Sequence, residues 1–396
     1  MKKEREPRLL PEYDIVIVGA GPAGSVAAKY AAEKGVSVLV CEKDREVGIP
    51  VRCGEAVRRN SFIQFVQPDK KWIATEINKF AFVAPNNGRV VLEFPETGYV
   101  LNRKIFDAEL ARQASAAGAI FVTRAYVNGL ILEDGKVCGV KFEHNGEQKT
   151  IKSKIVIAAD GAESRVGRWA GLQTHVDFRD MECCCQVTAA NINVDENTCY
   201  FYFGKDVAPE GYLWVFPKGN GVANVGIGVS GKIGKTKSAS SYLNDFLNKN
   251  FPDASALTSV AGGVPCTTVL KKISSYGIMI AGDAARQVNP LSGGGIVSSM
   301  VGGCIAGRIA ADSIINKNPG LVFTYESEWE NRLGKKHRIY NRIKEGIYNF
   351  SDEKFNSIIT SFEKVPPQKR TLGSLFRTAL FNQPSLLLDV AKVFID

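Results

Sequence analysis

The stretch from Tyr13 to Glu42, YDIVIVGAGPAGSVAAKYAAEKGVSVLVCE, constrains the fold of this chain more than any other segment. Ile15 to Val18 is a short β-branched run, too brief and too apolar to be anything but a buried strand. It feeds into Gly19-Ala20-Gly21-Pro22-Ala23-Gly24. The first glycine permits a tight turn, the second lets the backbone approach a pyrophosphate, and the third lets the following helix pack closely on the strand. Phosphate charge then rests on the helix N-terminus. Ser25 to Lys34 has the small, Ala-rich character of that helix, Gly35 stops it, and Val36 to Val40 reads as a second strand. Glu42 ends this strand and supplies the acceptor that a ribose hydroxyl needs, about 20 residues past the fingerprint. A glycine triplet alone would be weak, whereas strand, glycines, helix, strand and acid in this order spell a dinucleotide-binding unit.

A single core stops growing near about 250 to 300 residues, so the 396 residues require two or three domains. No run of about 18 or more uncharged apolar residues is present, and no signal peptide precedes the first strand, so the chain is expected inside the cell, touching a membrane only from its surface. Nine cysteines, an odd count, point to reduced thiols. Cys183, Cys184 and Cys185 are adjacent and cannot converge on one ion, so they read as small buried strand residues and no metal is expected. The net charge of +9 is moderate. Basic residues crowd Arg332 to Lys344, with Tyr340, Tyr348 and Phe350 alongside or following, a pattern that fits nucleic acid, anionic lipid, an acidic partner or a plain solvated helix face.

Three further segments bear on the ligand. LNRKIFDAEL, Leu101 to Leu110, puts Arg103 at the start of a helix with Phe106 and Leu110 on one face. Ile155 to Arg168 is a buried strand ending in Asp160-Gly161, and Ile278 to Gly295 is another ending in Gly282-Asp283, followed by a glycine-rich turn and a small-residue helix from Ile296 to Ile315. Strand carboxyl ends are where ligands bind in open α/β sheets. A second glycine motif, Gly226-Ile227-Gly228-Val229-Ser230-Gly231, opens no helix, because Lys232 to Lys237 has no apolar periodicity; it reads as a strand end needing close backbone approach. Thr198 to Phe203, Gly211 to Pro217 and Val222 to Val229 have strand periodicity. Tyr212, Trp214 and Phe216 alternate and share one face, which fits a closed sheet core or one wall of a long apolar cavity.

With these motifs the chain resembles the glutathione-reductase-type flavoproteins of the para-hydroxybenzoate hydroxylase branch. Pro50-Val51-Arg52-Cys53-Gly54-Glu55, the GYLWVFPKG block followed by NVGIGV, and Asn289-Pro290-Leu291-Ser292-Gly293-Gly294-Gly295 narrow the resemblance to the geranylgeranyl reductases, in particular the archaeal digeranylgeranylglycerophospholipid reductases. Arg286 stands where the aromatic hydroxylases of the branch usually carry a His. The resemblance implies an α/β chain, α+β overall. A glutathione-reductase-type Rossmann FAD domain (12–75, 98–175 and 270–318) would carry an antiparallel-sheet substrate domain (76–97 and 176–269) and a small helical C-terminal region (319–396).

The implied cofactor is FAD. Beside Gly19, Gly21 and Gly24 of the fingerprint, the resemblance places Ala23, Cys53, Gly54 and Ala56 at the cofactor, Glu42 on the adenosine ribose and Arg103 near the pyrophosphate. It puts Asp283 on the ribityl chain and Gly295 and Ile296 at the flavin pyrimidine edge, with Ala125 as a further contact. The implied reaction saturates isolated double bonds of a geranylgeranyl lipid, with Tyr212, Trp214 and Phe216 along the prenyl chain. A proton donor is needed, and Cys53 is the first candidate, Glu55 the second. The electron donor is NADPH or a small redox protein, nucleic acid is not a partner, and the expected location is cytoplasmic, resting peripherally on the inner face of the membrane. The apolar face Leu380, Phe381, Leu386, Leu387, Val390, Val393 and Phe394 is read as a cover over the lipid tunnel or a dimer contact, with Lys335 to Lys344 near the substrate phosphate. A flavin monooxygenase, which consumes oxygen with product, and a non-enzymatic flavin or lipid carrier, which does not turn over, are the alternatives.

Overall fold

In the computed structural model, which describes residues 9–381 and 383–394, the fingerprint strand Glu12–Val18 lies inside an eight-stranded sheet. Its principal order is Ser274–Ser275, Ile278–Ile280, Glu147–Ala158, Glu12–Val18, Val38–Cys41, Ile120–Val122. The four pairings around Glu12–Val18 and its neighbours are parallel. That explains why VIV-type runs without polar alternation form these strands: both faces are covered. Ala125–Glu133 and Lys136–His144 extend the sheet as antiparallel strands from Glu147–Ala158.

Helix Pro22–Ala32 leaves the glycine turn and packs on helix Ile296–Ile315. The approach depends on two glycines one turn apart. A Cβ at Gly303 would lie 2.1 Å from the Ala23 carbonyl oxygen, and one at Gly307 would lie 2.2 Å from that of Ala27. Both helices therefore touch backbone to backbone. Helix Arg103–Ala116 begins at the arginine chosen from sequence and buries Phe106 and Leu110.

The second sheet also has eight strands, in the order Ser255–Pro265, Met181–Ala190, Val222–Ser230, Tyr212–Gly219, Thr198–Tyr202, Ile73–Val83, Arg89–Leu101, Ala56–Arg58. All its pairings are antiparallel except Thr198–Tyr202 with Ile73–Val83. Leu213, Val215 and Ile227 on one face meet Leu243 and Phe246 of helix Ala239–Asn250. The alternate residues Trp214 and Phe216 turn to the other face with Ile77, Val100 and Cys199. The second glycine motif lies within and just past strand Val222–Ser230, and only a short 3-10 turn, Ile233–Lys235, follows. A Cβ at Gly226 would come within 2.3 Å of the Trp214 indole, so the glycine makes room for that ring.

Sheet pairing redraws the boundaries read from sequence. Residues 56–58, 73–75 and 98–101, grouped there with the nucleotide-binding unit, are hydrogen-bonded into the second sheet; we propose the three-part division with that change. The C-terminal region is helical. Lys335–Tyr348, Asp352–Glu363, Leu372–Ala379 and Pro384–Val393 pack around Ala84, Val90 and Leu92 of the second sheet's outer strands and their turn. Of the apolar C-terminal face, Leu380 and Val390 are fully buried while Phe381 projects outward. Among the described residues no helix is long and apolar enough to cross a membrane.

Replacing Gly307 by Leu should destabilise the chain by about 1 to 3 kcal/mol, the usual cost of overpacking, because the added atoms meet unyielding backbone. Urea unfolding followed by circular dichroism measures this, and an unchanged midpoint would show that the helix contact is not tight.

Candidate cofactor and substrate site

The glycine turn is shaped on three sides and open on one. Gly19 has φ +98°, and a Cβ there would lie 2.3 Å from the Ala159 carbonyl oxygen; at Gly24 it would lie 1.9 Å from that of Gly19. At Gly21 a Cβ would meet nothing within 4 Å. Gly21 and Ala23 face into a cavity of about 1340 Å3. This is the shape a pyrophosphate needs: a tight turn behind, free backbone N–H groups and a helix N-terminus in front.

Glu42 is buried behind the turn. Its Oε2 accepts from the Ala20 amide at 2.7 Å and its Oε1 from the Asp44 amide at 2.9 Å. A carboxylate offers about four acceptor positions, so holding the turn leaves capacity for a ribose hydroxyl. The Ala125 amide donates to the Glu42 carbonyl at 2.8 Å. Gly19, Gly24, Glu42 and Ala125 thus form the layer behind the cavity wall rather than the wall itself.

Cys53, Gly54 and Glu55 enter the cavity from the loop before strand Ala56–Arg58. Gln186 Nε2 donates to the Cys53 carbonyl at 2.9 Å, and its Oε1 accepts from the Trp214 indole at 3.0 Å, which ties the loop to the aromatic wall. A Cβ at Gly54 would strike the Phe216 ring at 2.9 Å. Glu55 is buried with φ 71°, a conformation that is strained for a non-glycine residue and is held by its bonds. Its Oε1 accepts from the Arg103 amide at 2.7 Å, and its Oε2 accepts from Asn224 Nδ2 at 2.6 Å and from Lys218 Nζ. Both oxygens are engaged, so Glu55 anchors the loop and is not poised to release a proton. Burial pushes the Cys53 thiol up, against the lowering influence of Arg103, which makes it a weak acid.

Arg103 pairs bidentately with Asp107, at 2.7 and 2.6 Å, one helical turn on. Asp283, on the turn after strand Ile278–Ile280, is raised by burial and lowered by Arg103 and a bond from Ser299. Gly295 and Ile296 open helix Ile296–Ile315 with no side-chain cap, leaving its first N–H groups for a ligand. Ala56, Arg103, Asp283, Gly295 and Ile296 all line the cavity.

Beyond this polar end the cavity is apolar. Tyr212, Trp214 and Phe216 line it together, with Phe201 against Tyr212 and Phe216 at ring distances of 5.6 and 5.3 Å. The far end is closed by the C-terminal helices through Ile347, Phe355 and Phe376. The basic cluster differs from its sequence reading. Arg338 pairs with Glu330, Arg342 with Asp389 at 2.5 Å, and Arg332 bonds Gln64 at 2.8 Å. Lys344 turns inward, fully buried, onto the Cys266 carbonyl at 2.6 Å. Arg332, Arg338 and Arg342 stay at the surface with these partners, and Lys344 alone of the four is withdrawn from it.

One further polar group was missed from sequence. Glu182 lines the cavity, 7% exposed, accepts from the Tyr348 hydroxyl, and leaves Oε2 with no hydrogen-bond partner. Glu182, Cys184 and Gln186 share one face of strand Met181–Ala190, while Cys183 and Cys185 belong to the opposite core. A Glu and a Gln of equal parity in MECCCQVTAA were the available signal. Among the described residues no group of His, Cys, Asp and Glu is placed to hold a metal ion.

Comparison with known proteins places this geometry in context. Residues 14–221 match the FAD dependent oxidoreductase family, and residues 180–264 match the geranylgeranyl reductase catalytic domain. Digeranylgeranylglycerophospholipid reductase 2 of Methanococcoides burtonii is 41% identical over 391 residues, 97% of this chain and 96% of that protein. The chain belongs to the digeranylgeranylglycerophospholipid reductase family. The corresponding reductase of Methanocella arvoryzae is also 41% identical, over 96% of this chain and 98% of its own length. A crystal structure of a geranylgeranyl bacteriochlorophyll reductase-like protein from Thermoplasma acidophilum superposes with a TM-score of 0.90 at 34% identity, covering 96% of this chain and 99% of the other. A flavin-dependent brominase shares the fold at 18% identity, with a TM-score of 0.73 over 94% of this chain and all of its own. The cofactor of the family is FAD, and the open face at Gly21, the uncapped helix at Gly295, and Arg103 and Asp283 on the cavity wall fit it.

Glu42→Ala removes the brace on the Ala20 amide and, if the spare acceptor positions of Glu42 take a ribose hydroxyl, that bond as well. It should weaken FAD binding by about 1.5 to 3 kcal/mol, the value of a hydrogen bond to a charged group, read as a tenfold or larger rise in Kd by flavin fluorescence.

Proposed function

We propose that this member of the family saturates isolated double bonds in the geranylgeranyl chains of a glycerophospholipid. The observation that carries this reading is one continuous cavity, polar at the glycine turn and Asp283, then aromatic and aliphatic as far as the C-terminal helices. When bound, reduced FAD supplies two electrons and one hydrogen as hydride. An isolated alkene has no carbonyl to accept developing charge, so the protein must hold the reacting carbon within about 3.5 Å of the donor and keep water away.

The chain's own residues divide this work. Tyr212, Trp214 and Phe216 hold the prenyl chain, and Gln186 fixes the indole so that the wall keeps its shape. Arg103 and the N-terminus of helix Ile296–Ile315 balance negative charge on the cofactor. Cys53 and Gly54 seat the ring system, with Glu55 clamping their loop. Reducing equivalents come from NADPH docking transiently or from a small redox protein, since the second glycine motif is spent within a strand. Peripheral membrane contact is supported by Phe381, 74% exposed, and Leu388, 67% exposed, on the C-terminal helical cover.

The decisive experiment mixes pre-reduced enzyme with digeranylgeranylglycerophospholipid without oxygen and follows flavin reoxidation and product mass. Saturated product without oxygen supports the reductase; product formed only with oxygen uptake supports a monooxygenase, and no product at all a carrier. Trp214→Ala should slow turnover of the long-chain lipid at least tenfold while costing less stability than the roughly 3 to 5 kcal/mol of a core Trp truncation. Normal kinetics in a strongly destabilised Trp214→Ala protein would make the aromatic face a sheet core. Cys53→Ala should retain FAD and keep single-turnover rates within about tenfold of wild type, a barrier change under roughly 1.4 kcal/mol. A larger loss would make the thiol the proton donor.

A further inference from the structure

Hydride addition leaves one carbon of the double bond without its hydrogen; Glu55 has both oxygens bonded, and burial makes the Cys53 thiol a weak acid. We propose that Glu182 is the acid that protonates this carbon, an assignment that rests on the reductase reading above. Its carboxyl lines the cavity, is nine-tenths buried, and has an oxygen without any hydrogen-bond partner. Such an orphan is costly in a finished core. It is explained if that oxygen carries the proton that leaves during reaction.

Position supports the role. Glu182, Cys184 and Gln186 follow one another along a single strand face, and Gln186 bonds the Cys53 carbonyl at 2.9 Å. The row therefore runs from the cofactor loop along the cavity wall. Glu182 is four residues beyond Gln186, about 13 Å along the strand, on the stretch of cavity wall that leads past Cys184 toward Tyr348 and the C-terminal helices. Bound reduced FAD would supply hydride, with both electrons, to one alkene carbon, and the neighbouring carbon would then be short of one bond. That neighbour forms a C–H bond with the proton of Glu182 as the O–H bond breaks, and Glu182 is left as a carboxylate. Tyr348 donates to that carboxylate, and the charge of Lys344 stabilises it. Lys344 Nζ is 3.4 Å from Glu345 Oε1, and Glu345 is paired with Arg179 at the surface; the Glu182 carboxylate regains its proton from solvent as the product leaves.

The group is also matched to the task. Burial raises Glu182 to about 7, opposed by Tyr348 and Lys344 and aided by Glu210 and Asp180. Cys184 on its own strand, Cys266 after strand Ser255–Pro265 and Tyr212 on strand Tyr212–Gly219 complete the titratable groups facing it. Each is raised by burial, so each is uncharged at neutral pH. A general acid works best when it titrates near the working pH. The protonated form is the active one here, so the proton-transfer rate should fall as pH rises through about 7.

The test uses FAD holoenzyme reduced with dithionite and mixed anaerobically with digeranylgeranylglycerophospholipid in detergent micelles, from pH 5.5 to 8.5. Glu182→Gln keeps size and hydrogen bonding but has no acidic proton. It should retain FAD and its reoxidation by oxygen, while the lipid-dependent rate falls by more than tenfold, toward the hundredfold typical of a lost general acid, and loses the step near pH 7. A smaller loss, or a step that persists, overturns the assignment. Should Glu182→Gln fail to fold, Tyr348→Phe decides: removing the bond that favours the carboxylate should move the step to higher pH, and an unmoved step overturns the proposal. Wild-type enzyme that reoxidises with oxygen but never with the lipid would instead defeat the functional reading, and this assignment with it.

Discussion

The Glu55 carboxylate accepts from the first amide of helix Arg103–Ala116 at one oxygen and from Lys218 and Asn224 of the second sheet at the other. It thereby fixes the cofactor loop to both halves of the molecule at once. Lys218 also donates to the Leu101 carbonyl at 2.9 Å, closing the bracket on the strand that precedes that helix. Breaking a buried pair of this kind by removing one partner costs about 3 to 5 kcal/mol, since the other charge is left without compensation. The placement of Cys53 and Gly54, and of the first amide of helix Arg103–Ala116, depends on this one group.

From that bracket the cavity acquires its polarity. One end is made of amides, an arginine and a buried aspartate, and the other of rings stacked from Phe201 to Phe355 by way of Phe82 and Phe203, with centroids 5.5 to 6.2 Å apart. An amphiphile has only one way to lie in such a space. The few polar groups along the apolar stretch are the exception, and Glu182 with Tyr348 and Lys344 is the cluster that interrupts it.

Much of this was legible in the chain because it rests on local rules. The fingerprint needs a turn, an approach and a helix, and Gly19, Gly21 and Gly24 meet those needs in order. Tyr212, Trp214 and Phe216 share a face because a strand alternates, and the helix at Ile296 begins where the small residues begin. Other features needed the third dimension. Nothing local tells Lys344 to turn inward from a basic run, since that depends on the Cys266 carbonyl, 78 residues away, arriving to receive it. Glu55 reads as an acid next to a thiol until Asn224 and Lys218 occupy its oxygens. Ala56–Arg58 reads as part of the nucleotide-binding unit because its place in the second sheet comes only from pairing with Arg89–Leu101.

The glycine-to-carbonyl contacts between helices Pro22–Ala32 and Ile296–Ile315 have a mechanical meaning. Both helices open at the cavity, at Gly21 and at Gly295, and they touch backbone to backbone. The pair behaves as a caliper whose jaws are set by the fold. The separation of the two helix N-termini is thus set by the backbone itself.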